Sequence, residues 1–162
     1  MSKTTIGIDP GTKTTGWCVL RDGRYHASGV ITAKGTKLGK RLAQIRDGLQ
    51  AVLSQYLPSA VVVEDVPKCK SMETYYSIGN AAGVILLTCE DYHILVEKVA
   101  VQTWKSAFLG KGNASKPEVH AMAETIEPGL SDERDAKGIH KDQDRADAIG
   151  IIVGWSAMEG TR

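Results

Sequence analysis

The segment at residues 6–12, IGIDPGT, constrains the fold of this chain more than any other. Side chains alternate along a strand, so the two isoleucines face one side of the sheet while Gly7 and Asp9 face the other. The Pro-Gly pair ends the strand, because proline has no N–H for the ladder and glycine adopts backbone angles that other residues avoid. Asp9 is therefore expected at a strand end beside a turn, with room for a ligand, a metal ion or a phosphate.

Hydrophobic patterns along the chain predict an α/β fold, with an antiparallel meander of three strands followed by helices and parallel strands. Asp22-Gly23 is a strong hairpin signal, and the β-branched run before Glu64 indicates a strand buried on both faces. Ser71 and Ser115 are predicted helix caps, the second in a capping box. The predicted elements are strands at about residues 4–9, 15–20, 25–32, 60–64 and 93–99, and helices at about residues 38–56, 72–90, 103–109, 116–126 and 143–158.

Composition excludes a few classes of protein. The 162 residues, 42% hydrophobic and 24% charged, are ordinary for one globular domain. No apolar run approaches the roughly 20 residues that a membrane span requires, and the N-terminus lacks a signal pattern, so we expect a cytoplasmic protein. The cysteines Cys18, Cys69 and Cys89 have no C-x-x-C spacing. They are predicted as small buried residues, with neither a disulfide framework nor a zinc site indicated.

The net charge of +1 conceals an uneven distribution of charged residues. Two basic sets precede a late concentration of acids. This pattern suits a protein that binds phosphates on one surface and holds cations at another, although solvated faces also explain such runs. The basic sets are Lys34, Lys37, Lys40, Arg41 and Arg46, and then Lys98, Lys105, Lys111 and Lys116.

Four carboxylates, those of Asp9, Glu64, Asp144 and Asp147, stand at the ends of predicted elements. Ligands of open α/β sheets bind outside the strand ends, and the last helix could bring its first turn there, with both of its aspartates on one face. Each acid has an ordinary alternative role, as a turn former for Asp9 or as a complement to the helix dipole for the last two. Their occurrence together favours a functional site.

A cluster of four carboxylates needs cations or bound protons. Two carboxylates about 4 Å apart repel each other by roughly 4 kcal/mol at an effective dielectric constant near 20. Ligation by oxygen alone favours Mg²⁺ or Mn²⁺ over Zn²⁺, and two such ions clamp the attacking and leaving oxygens of a phosphoryl displacement. Asp142 is predicted as the N-cap of the last helix. His140 is predicted as a solvated residue of a loop over residues 130–141, in a position that also permits a general acid–base role.

In the order of its motifs the chain resembles the RuvC family of Holliday junction resolvases, within the RNase H-like superfamily. The resemblance spans nearly the whole chain and rests on four blocks that have the family's spacing. The blocks are IGIDPG at residues 6–11 with TGW at 15–17, VVEDV at 62–66, VQTWK at 101–105 with GKGNASK at 110–116, and DRADA at 144–148.

The resemblance implies a single nuclease domain over residues 1–162, with an RNase H-like five-stranded mixed sheet and helices on both faces. It also implies a homodimer that hydrolyses phosphodiesters at a four-way DNA junction with two Mg²⁺ ions, leaving 5′-phosphate and 3′-hydroxyl ends. The residues that resemble the catalytic metal-binding acids are Asp9, Glu64, Asp144 and Asp147. The expected DNA-binding residues are Lys105, Lys111, Lys116, Lys40, Arg41, Tyr75 and Tyr76.

One position departs from the family pattern. Many bacterial members carry an aromatic residue just after the Glu-x-Val block, where it can stack on an unpaired base, and this chain has Pro67 there. Met72, Tyr75 and Tyr76 are candidates for a replacement wedge, and packing at a dimer interface is their alternative role. The departure leaves the cleavage preference open and adds forks and flaps to the candidate substrates.

Other functions fit parts of the sequence. A nuclease of the same fold that acts on other branched DNAs or on RNA–DNA hybrids needs the same acids. The Asp-x-Gly-Thr-x-Thr pattern at residues 9–14 also opens the phosphate loop of actin-like kinases and ATPases. This sequence has neither the length for their second lobe nor a second glycine-rich phosphate loop. A junction-binding module without catalysis conflicts with acids concentrated where DNA must lie.

Overall fold

The computed structural model describes residues 3–66 and 71–160, so Pro67 and Cys69 lie outside the described residues. Its elements follow the predicted order. The strands are β1 (Thr4–Asp9), β2 (Thr14–Arg21), β3 (Arg24–Thr32), β4 (Ala60–Glu64) and β5 (Leu95–Val99). The helices are α1 (Leu38–Tyr56), α2 (Met72–Asp91), α3 (Val101–Leu109), α4 (Lys116–Ile126) and α5 (Gln143–Glu159).

The strands form one five-stranded mixed sheet in the order β3-β2-β1-β4-β5. β2 pairs antiparallel with both β1 and β3, whereas β4 is parallel to both β1 and β5. The predicted meander followed by parallel strands is therefore confirmed. β4 is buried along its first four residues, as expected for a strand with covered faces.

Helices cover both faces of this sheet. On one face Ile6 and Ile8 of β1 pack in a core with Leu53 of α1 and Ile85 of α2. On the other face α5 packs on β1 and β2, with α3 and α4 beside it. Because side chains alternate along β1, the face opposite the two isoleucines is the one that meets α5.

Two glycines allow α5 to lie close to the sheet. A Cβ atom on Gly7 would lie 2.6 Å from the Cβ atom of Ile152 in α5. A Cβ atom on Gly16 of β2 would overlap the backbone carbonyl of Asp144. Gly16 is the partner of Asp9 in the β1–β2 register. Because neither glycine has a side chain, the first turn of α5 can lie beside the end of β1.

Backbone angles explain one agreement and one difference between the predicted and observed strands. Asp22 and Gly23 have φ values of 50° and 74°, the left-handed angles of a two-residue hairpin turn, which confirms the predicted hairpin. The predicted start of β5 at residue 93 was wrong. His93 has a φ of 54° and lies in the turn after α2, so β5 begins at Leu95.

Both predicted helix caps are present. The Ser71 hydroxyl accepts a hydrogen bond from the Thr74 N–H at 3.4 Å, at the start of α2. The Ser115 N–H donates to the Glu118 carboxylate at 2.8 Å, as in a capping box. The first turn of α3 begins earlier than predicted, at Val101 instead of residue 103.

Within residues 3–66 and 71–160, no helix is both long enough and apolar enough to cross a bilayer. Cys18 and Cys89 are buried and carry free thiols, which confirms their prediction as small buried residues. Burial raises the pKa of the Cys89 thiol to about 12, so this thiol stays protonated at neutral pH.

Candidate active site

Two neighbouring parallel strands carry the first two acids to one edge of the sheet. Ile8 of β1 is paired with Val63 of β4. The next residues along the two strands, Asp9 and Glu64, therefore end the strands side by side. The carboxyl ends of parallel strands are where α/β proteins bind their ligands.

The first turn of α5 brings the other two acids to the same edge. The backbone of Asp144 rests on Gly16, the β-sheet partner of Asp9. The Thr14 hydroxyl of β2 donates a hydrogen bond to the Asp144 carboxylate, and Asp147 follows one turn later. All four predicted acids line one open cleft of about 540 Å³. Its charged lining residues include Asp9, Glu64, Asp144, Asp147, Lys105 and Lys116.

Two further side chains hold acids in position by hydrogen bonds. The indole N–H of Trp104 donates to Oε2 of Glu64 at 2.7 Å. The amide of Gln143 donates to Oδ1 of Asp147 at 2.9 Å. Neither residue was predicted as functional. Trp104 lies in the block at residues 101–105 that carries the family resemblance, so a signal was present, whereas Gln143 stands in no such block.

Burial and mutual repulsion raise the pKa values of three of the acids. Burial is the largest cause for Asp9, and the other three acids raise its pKa further. Burial raises the pKa of Glu64 to about 7, although the indole hydrogen bond opposes this. It raises the pKa of Asp147 to about 6, opposed by the amide hydrogen bond. The lysine side chains that line the cleft therefore do not balance the negative charge of its acids.

The donor set of the cleft fits divalent cations. The four acids offer only carboxylate oxygens, which suit Mg²⁺ or Mn²⁺ better than Zn²⁺. The raised pKa values of Asp9, Glu64 and Asp147 indicate that their ionisation costs free energy in the protein alone, and a bound cation would remove that cost. The residues that could hold such cations are Asp9, Glu64, Asp144 and Asp147.

The three lysines predicted to contact DNA lie in different surroundings. Lys105 and Lys116 line the cleft, and the Lys105 ammonium donates to the Ala114 carbonyl at 2.7 Å. Lys111 does not line the cleft. It pairs with the half-exposed Glu118 and is the largest cause that lowers the pKa of this carboxyl to about 2. The structure brings two of these lysines to the acids and leaves the third outside.

The two predicted DNA-binding residues of α1 also differ. Lys40 is exposed. Arg41 donates from Nε to the Thr12 carbonyl at 3.1 Å, and from one terminal nitrogen to the carbonyls of Gly35 and Thr36 at 3.1 and 2.9 Å. Its guanidinium therefore braces the turn after β1 against the segment before α1, which is a structural role in addition to the predicted one.

The candidate wedge residues lie at the start of α2. Met72, Tyr75 and Tyr76 are 61%, 43% and 62% exposed, and the two tyrosine rings meet edge to face with centroids 6.2 Å apart. The hydroxyls of Thr12 and Ser77 lie 2.9 Å apart and connect this helix to the turn after β1. The exposed rings thus stand on the helix that borders the cleft, and base stacking and dimer packing both remain predictions for them.

Two residues before α5 differ from expectation. The prediction of His140 as a solvated residue was wrong: it is 7% exposed and its ring stacks on that of His120, with centroids 3.6 Å apart. Asp142 stands at the N-cap position, as predicted, but its side chain does not cap α5. Its carboxylate accepts a hydrogen bond from the Ser131 N–H at 2.8 Å and lies 3.8 Å from the Arg145 guanidinium. Neither His140 nor Asp142 lines the acidic cleft.

Comparison with known proteins gives concordant results. Residues 5–154 match the family described as crossover junction endodeoxyribonuclease RuvC. A protein of that name from Sinorhizobium medicae is 32% identical over 153 residues, which cover 91% of this chain and 87% of the relative. One from Rhizobium meliloti is 33% identical and covers 91% and 85%. The solved structure of T. thermophilus RuvC in complex with Holliday junction substrate has a TM-score of 0.77 at 24% identity, covering 97% of this chain and 96% of that one, which confirms the predicted fold.

Proposed function

The chain belongs to the RuvC family of crossover junction endodeoxyribonucleases, and on that basis we propose that it resolves four-way DNA junctions. In this proposal it hydrolyses one phosphodiester bond in each of two symmetric strands, leaving 5′-phosphate and 3′-hydroxyl ends. The reaction depends on Mg²⁺, for which Mn²⁺ substitutes. Its proposed location is the cytoplasm.

The convergence of four acids in one cleft carries this proposal. Asp9, Glu64, Asp144 and Asp147 come from three separate elements and line the same surface, with Lys105 and Lys116 beside them. A protein that only binds DNA is expected to present lysine and arginine side chains to it, because affinity comes largely from neutralisation of the phosphates. Four carboxylates in the position that a phosphate must approach are unfavourable for a binder, whereas a nuclease needs them as cation ligands.

The four acids are the proposed catalytic residues, and hydrogen bonds hold three of them, Glu64, Asp144 and Asp147, in position. Divalent cations held by Asp9, Glu64, Asp144 and Asp147 would neutralise charge at the scissile phosphate and would lower the pKa of the attacking water. Trp104 and Gln143 fix the directions of the Glu64 and Asp147 carboxylates by the hydrogen bonds that they donate. Rigid carboxylates of this kind reduce the reorganisation that accompanies the reaction.

Basic residues around the cleft are the proposed contacts to the DNA backbone. Lys116 lowers the pKa values of Asp9 and Asp147, so its charge acts within the cleft and can act on a phosphate placed there. Lys105 lies beside it. Lys111 must leave Glu118 to bind a phosphate, so we assign it a weaker contribution to affinity. Lys40 and Arg41 extend the basic surface along α1, and Tyr75 and Tyr76 are the proposed stacking residues.

A homodimer supplies the two active sites that symmetric cleavage needs. Along α2, exposed residues recur every three or four positions, at Tyr76, Asn80, Gly83 and Leu87. Leu87 is 65% exposed, and Leu95 at the edge strand is 62% exposed. Large apolar side chains in solvent indicate an interaction surface, and the small residues between them allow a second helix to approach closely. The part of this face from Asn80 to Leu87 is the proposed dimer contact, and Tyr76 at its N-terminal edge stays assigned to DNA.

A broader substrate range is the second candidate function. Pro67 stands where an aromatic wedge is expected, which supports a less selective enzyme that also cuts forks, flaps or RNA–DNA hybrids. The acids are common to both functions, so only the choice of substrate separates them.

A panel of labelled substrates distinguishes the two. We expect purified protein with Mg²⁺ to place paired, symmetric nicks in a four-way junction and to leave a plain duplex of the same sequence intact. Equal or faster cutting of forks, flaps or RNA–DNA hybrids would favour the broader nuclease. No cutting of any substrate with Mg²⁺ or Mn²⁺ would contradict the assignment as an endonuclease.

A further inference from the structure

A second group of possible metal ligands lies away from the acidic cleft. His120 is on α4, and Asp132 and His140 are on the connection between α4 and α5. One ligand atom from each lies within 4.8 Å of the other two. None of the three lines the acidic cleft. The two histidines are 20 residues apart in a pattern without the short spacings of zinc motifs, so their proximity is visible only in the fold.

Buried nitrogen atoms without partners point to a ligand in this group. His120 and His140 are 1% and 7% exposed. Nε2 of His120 and Nδ1 of His140 are both buried, and neither has a hydrogen-bond partner among residues 3–66 and 71–160. Native proteins pair nearly all of their buried polar atoms, so two orphaned nitrogens in adjacent rings call for a bound species. Asp132 beside them is exposed, so the bound species can enter the site from solvent on that side.

The His120 ring already has the arrangement of a metal ligand. It has a hydrogen bond with the backbone of Ser131, which leaves Nε2 unpaired. Imidazole ligands commonly bond a backbone or carboxylate group with the nitrogen that does not bind the metal. Burial, and then the neighbouring His140, lowers the pKa of His120, which favours the neutral ring that a metal ligand requires.

We propose that His120, Asp132 and His140 together bind one transition-metal cation of the Zn²⁺ class, at a site separate from the acidic cleft. Two imidazole nitrogens and one carboxylate oxygen suit Zn²⁺ and its neighbours, whereas Mg²⁺ prefers oxygen ligands alone. Three protein ligands leave a fourth position for water on the exposed side, next to Asp132.

Cation binding would change the relative orientation of the His120 and His140 rings. Their planes are now inclined by only 12°, with centroids 3.6 Å apart. A cation bound by both rings must lie near the plane of each, so one ring turns out of the stack. His120 is fixed on helix α4, and His140 lies on the connection before α5, so His140 is the ring that turns. Cation binding therefore exchanges a ring stack for two coordinate bonds.

Such a cation would join α4 to the segment that leads into the acidic cleft. The backbone N–H of Gln143 donates to the His140 carbonyl at 3.1 Å, and the Gln143 side chain donates to Asp147 at 2.9 Å. One residue thus connects the proposed site with a proposed catalytic acid. The cation would hold the connection at residues 127–142 against α4 and stabilise the first turn of α5.

Metal analysis of the purified, chelator-stripped protein tests this proposal without reference to cleavage. The protein is loaded with Zn²⁺ in the presence of excess Mg²⁺, which occupies the acidic cleft, and bound zinc is measured by elemental analysis and by competition with a chromophoric chelator. We expect one Zn²⁺ per chain, a higher melting temperature with Zn²⁺, and a Co²⁺ absorption spectrum typical of mixed nitrogen and oxygen ligands.

Variants identify the ligands. Asp132→Asn is exposed and should fold normally, and we expect it and His140→Gln to weaken Zn²⁺ binding at least about tenfold. Glu133→Gln is the matched control, because Glu133 is an exposed neighbouring acid paired with Lys141, and it should bind like wild type. Asp9→Asn should also retain the zinc. The proposal is overturned if wild type takes up no Zn²⁺ under excess Mg²⁺, if Asp132→Asn binds as tightly as wild type, or if Asp9→Asn loses the metal.

Discussion

At the scale of single residues, Trp104 joins the packing of the core to the chemistry of the cleft. Its ring is 1% exposed, and its N–H donates to the Glu64 carboxylate at 2.7 Å. A hydrogen bond to the charged form of an acid favours ionisation, so it opposes the burial that raises the pKa of Glu64 to about 7. Trp104 is therefore a positioning residue that keeps Glu64 available as a cation ligand.

Trp104→Phe should weaken cation binding in the cleft without removing an acid. The change deletes the hydrogen bond and keeps an aromatic ring, so the pKa of Glu64 rises further and protons compete better with Mg²⁺. We expect cleavage at pH 7 and limiting Mg²⁺ to fall about tenfold, with the pH–rate profile displaced to higher pH. The measurement is the cleavage rate against pH at several Mg²⁺ concentrations.

Trp155→Phe is the matched control for that experiment. Trp155 also donates its indole N–H to a carboxylate, that of Glu97 at 3.1 Å, but neither residue lines the acidic cleft. Its pH–rate profile should coincide with that of wild type. An unchanged profile in Trp104→Phe would show that the indole hydrogen bond has no part in the function of Glu64.

At the scale of elements, the approach of α5 to β1 and β2 assembles the site. Pattern and turn signals in the sequence correctly predicted β1, β4 and α5, and with them the strand ends that carry Asp9 and Glu64. The contact between Gly16 and the first turn of α5 was not predictable in this way, because a glycine in a strand does not identify the distant backbone that it admits. The hydrogen bond between Gln143 and Asp147 depends on the same packing.

The buried pair of histidines escaped prediction for a related reason. The polar segment at residues 130–141 has the composition of a loop, and loops usually lie in solvent. Here it folds back on α4 and buries His140 against His120. Local composition predicts that a segment is irregular, but the helix on which it packs is determined by the tertiary fold.

Gly16→Ala tests whether α5 depends on its close contact with β2. The added methyl group would overlap the Asp144 carbonyl, so the first turn of α5 must move away from β2. We expect a loss of about 1–3 kcal/mol in the free energy of unfolding and a large loss of cleavage by the protein that remains folded. Urea unfolding and cleavage assays at matched folded fractions measure the two effects.

Gly39→Ala provides the comparison for that variant. Gly39 lies on the exposed side of α1, and a Cβ atom there meets no atom of the described residues within 4 Å. Its stability should equal that of wild type or exceed it by up to about 1 kcal/mol, because alanine favours helices over glycine. Normal stability and cleavage in Gly16→Ala would mean that α5 does not depend on this close approach.

At the scale of the whole molecule, the acidic cleft makes stability depend on pH and on cations. The pKa values of Glu64 and Asp147 are about 7 and 6 in the folded chain, against ordinary values of 4.5 and 3.8. Between about pH 4 and pH 7 these two carboxyls therefore bind more protons in the folded chain than in the unfolded chain. Their contribution makes the free energy of unfolding fall as the pH rises through this window.

This dependence should be visible in thermal unfolding without divalent cations. We expect Glu64→Gln to remove part of the fall, on the order of 1 kcal/mol per pH unit between the unfolded and folded pKa values of Glu64. Mg²⁺ should raise the melting temperature of wild type much more at pH 8 than at pH 5. The comparison with the variant is needed because His120, whose pKa is lowered, acts in the opposite sense. Equal pH slopes for wild type and Glu64→Gln would contradict the raised pKa of Glu64.

Dimer formation is a second property of the whole molecule. Leu87 is 65% exposed on the face of α2 that we propose as the dimer contact. Leu87→Glu adds a charge to that face in each copy, so the dimer should dissociate at concentrations where wild type remains dimeric. Sedimentation equilibrium measures the change. Leu57→Glu is the control, since Leu57 is 77% exposed after α1 and should not affect assembly.

The central claim, that the four acids make the cleft catalytic, is tested most directly by Asp9→Asn on a labelled four-way junction. Binding is measured in Ca²⁺ or without divalent cations, and cleavage is measured in Mg²⁺. The amide removes a charged cation ligand and leaves the basic surface intact, so we predict cleavage reduced at least about a hundredfold and junction affinity equal to or above that of wild type. Cleavage at the wild-type rate by a folded Asp9→Asn protein would contradict the claim.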